Sequence, residues 1–291
     1  LQIPLSIFIA EAAVAIGQDK RAKDMIKSIN KMEPNFKQKA EIGLIEGNLA
    51  VADGKQKKAV EKWETVLQIG DRPSYVKASA ARINTLLRME RITPADSIRE
   101  LEKLRFLWRG DEFEFNLLRR LGTLYLNQKG YRQGLESLRQ AVTYFNEHKD
   151  VSAITEQMTD AFSFLYLNDG AVNLAPVSAI ALFRDFQELT PAGRKGDEMI
   201  RKLADRLVSV DLLDQASELL NEQVRERLKG RERGEVGTNL VLIYAFSKKF
   251  KKMLEVLDIT KTADLPEKLV TRRRHLRAYA LGQLNRRKEA L

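Results

Sequence analysis

The sequence predicts an all-α protein, a right-handed α-solenoid of helical hairpins in about eight repeats with a period near 37. Three observations predict it. Apolar residues recur at spacings of three and four through most of the 291 residues, the mark of helices that bury one face. Short turns carrying Gly, Asn or Pro divide these segments into pairs. The same pattern then returns at a nearly constant interval along the whole chain.

The clearest hairpin is LRRLGTLYLNQKGYRQGLESLRQAV, from Leu118 to Val142. Leu117, Leu118, Leu121, Leu124 and Tyr125 form one apolar face, and Leu135, Leu138, Ala141, Val142 and Phe145 form the next. NQKGY between them reads as a turn, its Asn and Gly supplying the chemistry that ends a helix. Gly122, Gly134 and Ala141 are expected where the two helices cross, because a short interaxial distance leaves no room for a large side chain. Tyr125 and Leu138 are expected to fill the gaps between hairpins.

Aligned on Gly134, the repeats follow in order. LQIPLSIFIAEAAVAIG reads as the first amphipathic helix, and a signal peptide or membrane span fits it poorly because Pro4, Glu11 and Gly17 interrupt it and no basic flank precedes it. The second helices then centre on Ala22, Ala59, Ser97, Gly134, Ala179, Ala216, Met253 and Ala290, at intervals of 37, 38, 37, 45, 37, 37 and 37. The third repeat is weak, and Met253 replaces a small residue. The long interval places an excess of eight residues in Leu167–Pro176, where Asn168-Asp169-Gly170 reads as a helix stop and Pro176 as the opening of the next helix. A tolerated insertion is favoured there over a contact loop. Residues 1–291 therefore read as one array whose last repeat is incomplete, so that further repeats or another domain are expected to follow. An irregular helical bundle and a HEAT-like array are the competing architectures.

The series Leu121-Gly122…Tyr125…Gly134…Leu138…Ala141 resembles the tetratricopeptide repeat family. Ala59…Trp63…Val66 matches the second half of its motif, as do Ala22…Ile26…Ile29…Pro34 and Ala179…Phe183…Phe186…Pro191. The period departs from the family's usual 34. The resemblance implies that the first helix of each repeat lines a concave surface and that partners are held there. Carried over residue by residue, it points to Asn116, Arg119, Thr123 and Leu126 in the fourth repeat, to Glu198, Arg201, Asp205 and Val208 in the sixth, and to Arg272, His275, Tyr279 and Gly282 in the eighth. Of these Asn116, Arg119, Arg201, Arg272, His275 and Tyr279 are the candidate partner-binding residues. The family's clamp for chaperone tails is disfavoured, since Thr123 and Asp205 stand where it needs Asn. Two longer stretches, SIRELEKLRFLWRGDEFEFNLLRRLG and ELTPAGRKGDEMIRKLADRLVSVDLLDQASELL, resemble segments of large tetratricopeptide proteins of alphaproteobacteria. That likeness implies a bacterial origin and an envelope or periplasmic placement, with the cytoplasm as the alternative.

Catalytic patterns do not emerge. There is no cysteine, which removes disulfides, thiolate metal sites and cysteine nucleophiles. The only two histidines, His148 and His275, fall in different repeats. Gly54-Lys55 lacks the upstream glycine of a phosphate loop, and Ser28…Lys31 and Ser74…Lys77 lack the companion motifs of penicillin-recognising enzymes. Arg109-Gly110-Asp111 spells an integrin-binding tripeptide, a string that arises easily by chance. No enzyme, cofactor, metal or small-molecule substrate is expected.

Charge is placed unevenly. The net charge is +10, and residues 201–291 carry 21 basic and 13 acidic residues, a net +8. RERLKGRERG (Arg225 to Gly234), KKFKK (Lys248 to Lys252) and RRRHLR (Arg272 to Arg277) concentrate it, without the interleaved aromatics of nucleic-acid readers. A protein-interaction scaffold results, binding a protein or peptide partner, acidic in character, through the concave groove or the basic C-terminal flank. The alternatives are an assembly element that packs against itself or a larger chain, and a binder of nucleic acid or anionic membrane through the basic third. Oligomeric state is not expressed in the sequence.

Overall fold

A computed structural model describes residues 2–69, 71–168, 170–286 and 289. Among the described residues there are fifteen α-helices and no strand. They pair as hairpins: α1 (Gln2–Ala15) with α2 (Asp19–Asn30), α3 (Phe36–Ala52) with α4 (Gln56–Ile69), α5 (Arg72–Arg88) with α6 (Pro94–Leu107), and α7 (Glu112–Asn127) with α8 (Tyr131–Tyr144). Then α9 (Val151–Leu167) pairs with α10 (Pro176–Asp185), α11 (Arg194–Ser209) with α12 (Leu213–Glu222), and α13 (Gly230–Phe246) with α14 (Phe250–Ile259), before α15 (Glu267–Gln283). The described chain is all-α and built from helical hairpins. It divides into two compact units, Leu1–Thr155 and Glu156–Leu291, and the division falls within α9.

The 37-residue register is the register of the core. Ala22, Ala59, Ser97, Gly134, Ala179, Ala216 and Met253 each lie in a second helix and each is buried. Ala290, the eighth member of this series, lies outside the described residues. Four residues further on, Ile26, Trp63, Leu101, Leu138, Phe183, Leu220 and Leu257 are buried as well. At Gly122 and Gly134 the reason for small residues is explicit. A Cβ on Gly122 would sit 2.5 Å from Leu138 Cγ, one on Gly134 would sit 2.7 Å from Leu126 Cγ, and each would come 3.1 Å from the other's carbonyl oxygen. Contacts this short force neighbouring atoms apart, so the crossing of α7 and α8 depends on both glycines.

The turns inside the hairpins repeat just as closely. Gly17, Gly54, Glu90, Lys129, Asp211, Lys248 and Asn285 follow the first helix of their repeats with φ between 55° and 75°. The next residue donates its N–H to the carbonyl five residues back: Gln18 to Ala13, Lys55 to Ala50, Arg91 to Leu86, Gly130 to Tyr125, Leu212 to Leu207, Lys249 to Tyr244 and Arg286 to Leu281, all at 2.8 or 2.9 Å. That bond closes a left-handed helix end and satisfies a carbonyl the helix leaves open. The expectation for NQKGY is corrected in its detail. Lys129 takes the left-handed conformation, and Gly130, at φ −78°, begins the next helix.

The insertion of the fifth repeat folds back on the second unit. Gly170–Asn173 forms a 3-10 turn, and α10 opens on Pro176 as expected. Lys202 Nζ donates to the Leu167 carbonyl at 2.6 Å, and Arg206 donates to that of Leu174. Asp169, part of the expected helix stop, lies outside the described residues.

Candidate partner-binding surface

In the first unit the first helices of three repeats lie side by side, α1 against α3 and α3 against α5. Between them opens a cavity of about 260 Å³. Ile7 and Phe8 from α1 and Leu44 and Ile45 from α3 supply apolar wall, while Glu11, Glu41 and Lys77 bring charge to it. Phe8 is 67% exposed although its neighbour Ile7 is buried. Burial pushes the Glu41 carboxyl above its ordinary value; Lys37 and Lys77 oppose the shift, and Asp71 and Glu11 add to it. Lys77 Nζ lies 4.0 Å from Glu11.

The six residues expected from the sequence are distributed over both units. Asn116 and Arg119 lie on α7, one helical turn apart, in the first. The Asn116 amide donates to the carbonyl and the carboxylate of Glu112 at 2.9 Å, and Arg119 is paired with Asp150 at 2.8 Å. In the second unit, half-buried Arg201 of α11 attracts the carboxylate of Asp205, an exposed residue whose carboxyl partial desolvation holds above its ordinary value all the same. Arg272, His275 and Tyr279 are exposed along one face of α15. The Tyr279 ring meets Phe250 edge-on, 5.8 Å between centroids.

Other expectations find their places. Half-buried Leu126 packs toward Gly134 of α8. The Thr123 hydroxyl donates to the Arg119 carbonyl. Asp111 of the Arg-Gly-Asp string caps α7, accepting from the N–H of Phe113 and the Trp108 indole at 2.9 and 2.8 Å, a structural task that occupies the carboxylate. His148 stacks on Phe115 with 3.7 Å between ring centroids. Among the described residues no group of three or more His, Cys, Asp or Glu could hold a metal ion, and no helix is long and apolar enough to cross a membrane.

Two buried polar networks in the second unit escape sequence reading. Arg273, 9% exposed, donates to the Gly234 and Leu257 carbonyls at 3.1 and 2.8 Å and to the Thr238 and Thr260 hydroxyls at 3.0 and 2.9 Å. Burial pulls its guanidinium below the usual arginine value, with Arg277 adding to that and Asp258 opposing it. Buried Asp197 accepts from Arg227 at 2.9 Å, and the Gln223 amide donates to the Asp197 carbonyl at 3.0 Å. Gln223–Arg227 leaves α12 as a π-turn. A signal existed. Seven residues beyond the aligned position stand Ile29, Val66, Leu104, Ala141 and Phe186 in the first five repeats, all buried and apolar, but the sixth and seventh repeats place Gln223 and Thr260 there.

No protein-family model and no curated protein matches the chain. Solved structures with distant likeness include a signal-transduction ATPase with numerous domains and a tetratricopeptide repeat sensor from Pyrococcus horikoshii, at TM-score 0.48 and 16% identity over 88% of this chain and 40% of that one. The apo form of RapI aligns at TM-score 0.44 and 12% identity, covering 100% of this chain and 85% of its own. Kinesin light chain-like repeats of Podosopora anserina align at 0.36 and 13%, over 75% of this chain and 91% of theirs. The chain spans 40% of the length of the first of these proteins. At such values the likeness carries no functional information.

Proposed function

We propose that the chain is a non-catalytic interaction scaffold that binds a partner protein or peptide on the faces of its first helices. The observation that carries this reading is the row α1, α3, α5, with an open cavity between its members. A single hairpin has no such surface, and a repeated one suits an extended partner. In the second unit α13 packs directly on α15 in the same manner. Asn116 and Arg119 in one unit, and Arg201, Arg272, His275 and Tyr279 in the other, are proposed as further contact residues. A second reading, polyanion binding, is favoured by Arg272, Arg274 and His275, which are exposed on α15 and form no ion pair among the described residues.

Immobilised chain incubated with bacterial lysate, with and without nuclease, at about 50 and about 300 mM salt tests both readings. A discrete protein retained after nuclease at the higher salt supports the scaffold. Retention of nucleic acid alone, lost steeply with salt, transfers the function to the basic flank.

A further inference from the structure

We propose that the cavity between α1, α3 and α5 receives a lysine or arginine side chain of a partner peptide, with a neighbouring apolar side chain of that peptide seated on Phe8. The inference rests on the scaffold reading and adds the partner's chemistry, which is opposite in sign to the acidic partner expected from the chain's net charge.

Size comes first. Pockets for small molecules run to about 300–1,000 Å³, whereas this one holds about 260 Å³, enough for a side chain or two. Its apolar platform is open: Phe8, on α1, is 67% exposed. Charge decides the rest. The Glu41 side chain makes no hydrogen bond or ion pair among the described residues; Lys37 and Lys77 act on it from one side and Asp71 and Glu11 from the other. The cavity wall itself carries two carboxylates, Glu11 and Glu41, against one ammonium, Lys77, so its lining is net acidic. The ion pair of Glu11 with Lys77, at 4.0 Å with both side chains substantially exposed, is of the weak, exchangeable kind. An incoming cation meets a half-buried carboxylate that lacks a close partner, and a charge-assisted hydrogen bond there is strong. An incoming carboxylate meets like charge.

The test is selection of a phage-displayed random dodecapeptide library on the full chain, followed by anisotropy titration of a fluorescein-labelled peptide carrying the enriched motif. Enrichment of Lys or Arg within two positions of an aromatic or aliphatic residue is expected. That peptide should bind about tenfold or more weakly to the Glu11→Gln/Glu41→Gln double variant, more weakly to Phe8→Ser, and more tightly to Lys77→Ala, which removes the competing cation. The gain on Lys77→Ala distinguishes binding at the cavity from a loss of fold. Enrichment of acidic or uncharged peptides, or of cationic ones indifferent to Glu11, Glu41 and Lys77, overturns the proposal. If binding instead disappears on Arg201→Ala or Arg272→Ala, the cavity assignment fails and the scaffold reading stands. If the chain retains neither a peptide nor a protein from lysate, both fail.

Discussion

Arg272 is exposed, whereas Arg273, one residue on, gives its guanidinium protons to two carbonyls and two hydroxyls inside the second unit. Removing the buried group strands those acceptors, so Arg273→Met should cost about 2–4 kcal/mol, and Arg272→Ala should stay within about 0.5 kcal/mol. Urea denaturation followed by far-UV circular dichroism separates the two. Glu41 behaves in the opposite sense. Its native pKa lies above the ordinary 4.5, so between those values the native state holds more protons than the unfolded state and stability falls as pH rises. Glu41→Gln should therefore raise the urea midpoint at pH 7. The advantage should shrink as pH is lowered through the raised native value and vanish below the unfolded one. A fold stabilised by the substitution that weakens peptide binding would identify Glu41 as kept for contact. Arg273 was hidden in the string RRRHLR because composition shows charge but not which helix face carries it.

At the level of the element, the hairpin turns carry a built-in strain. Five of the seven left-handed positions are not glycine: Glu90, Lys129, Asp211, Lys248 and Asn285. Left-handed backbone costs a residue with a Cβ roughly 1–2 kcal/mol, partly offset by the greater entropy glycine loses on folding. Lys248→Gly should therefore stabilise the chain by about 0.5–1 kcal/mol, read from the same denaturation curves. These turns explain why some elements were legible and others were not. The second helices showed themselves because the crossing admits only small residues at most repeats, as at Ala22, Ala59 and Gly134, and spacing records that. The turn conformation is imposed by the bond closing each helix end, so Lys129 adopts it without a glycine to advertise it. The cavity was missed for a different reason. Glu11, Leu44 and Lys77 meet there, yet they stand 33 residues apart, not 37. Neighbouring first helices touch about one helical turn out of step with the repeat, and a search at the repeat length does not bring such residues together.

For the whole molecule, damage should remain local. Repeat arrays are held by terms within a repeat and between nearest neighbours, so an injury in one place need not unfold a distant one. Both tryptophans, Trp63 and Trp108, belong to the unit Leu1–Thr155, and Arg273 belongs to the other. Arg273→Met should accordingly lower the midpoint seen by circular dichroism while the midpoint seen by tryptophan emission moves little; coincident shifts would show that the chain unfolds as one cooperative body. Trp63 adds one more consequence. It is fully buried on α4, and its indole N–H donates to the carbonyl of Leu44, the residue whose side chain lines the cavity. The first unit thus contains a fluorophore wired through one hydrogen bond to the wall of its own cavity, and a guest entering there should announce itself, without any dye, as a change in the colour or brightness of the protein's ultraviolet glow.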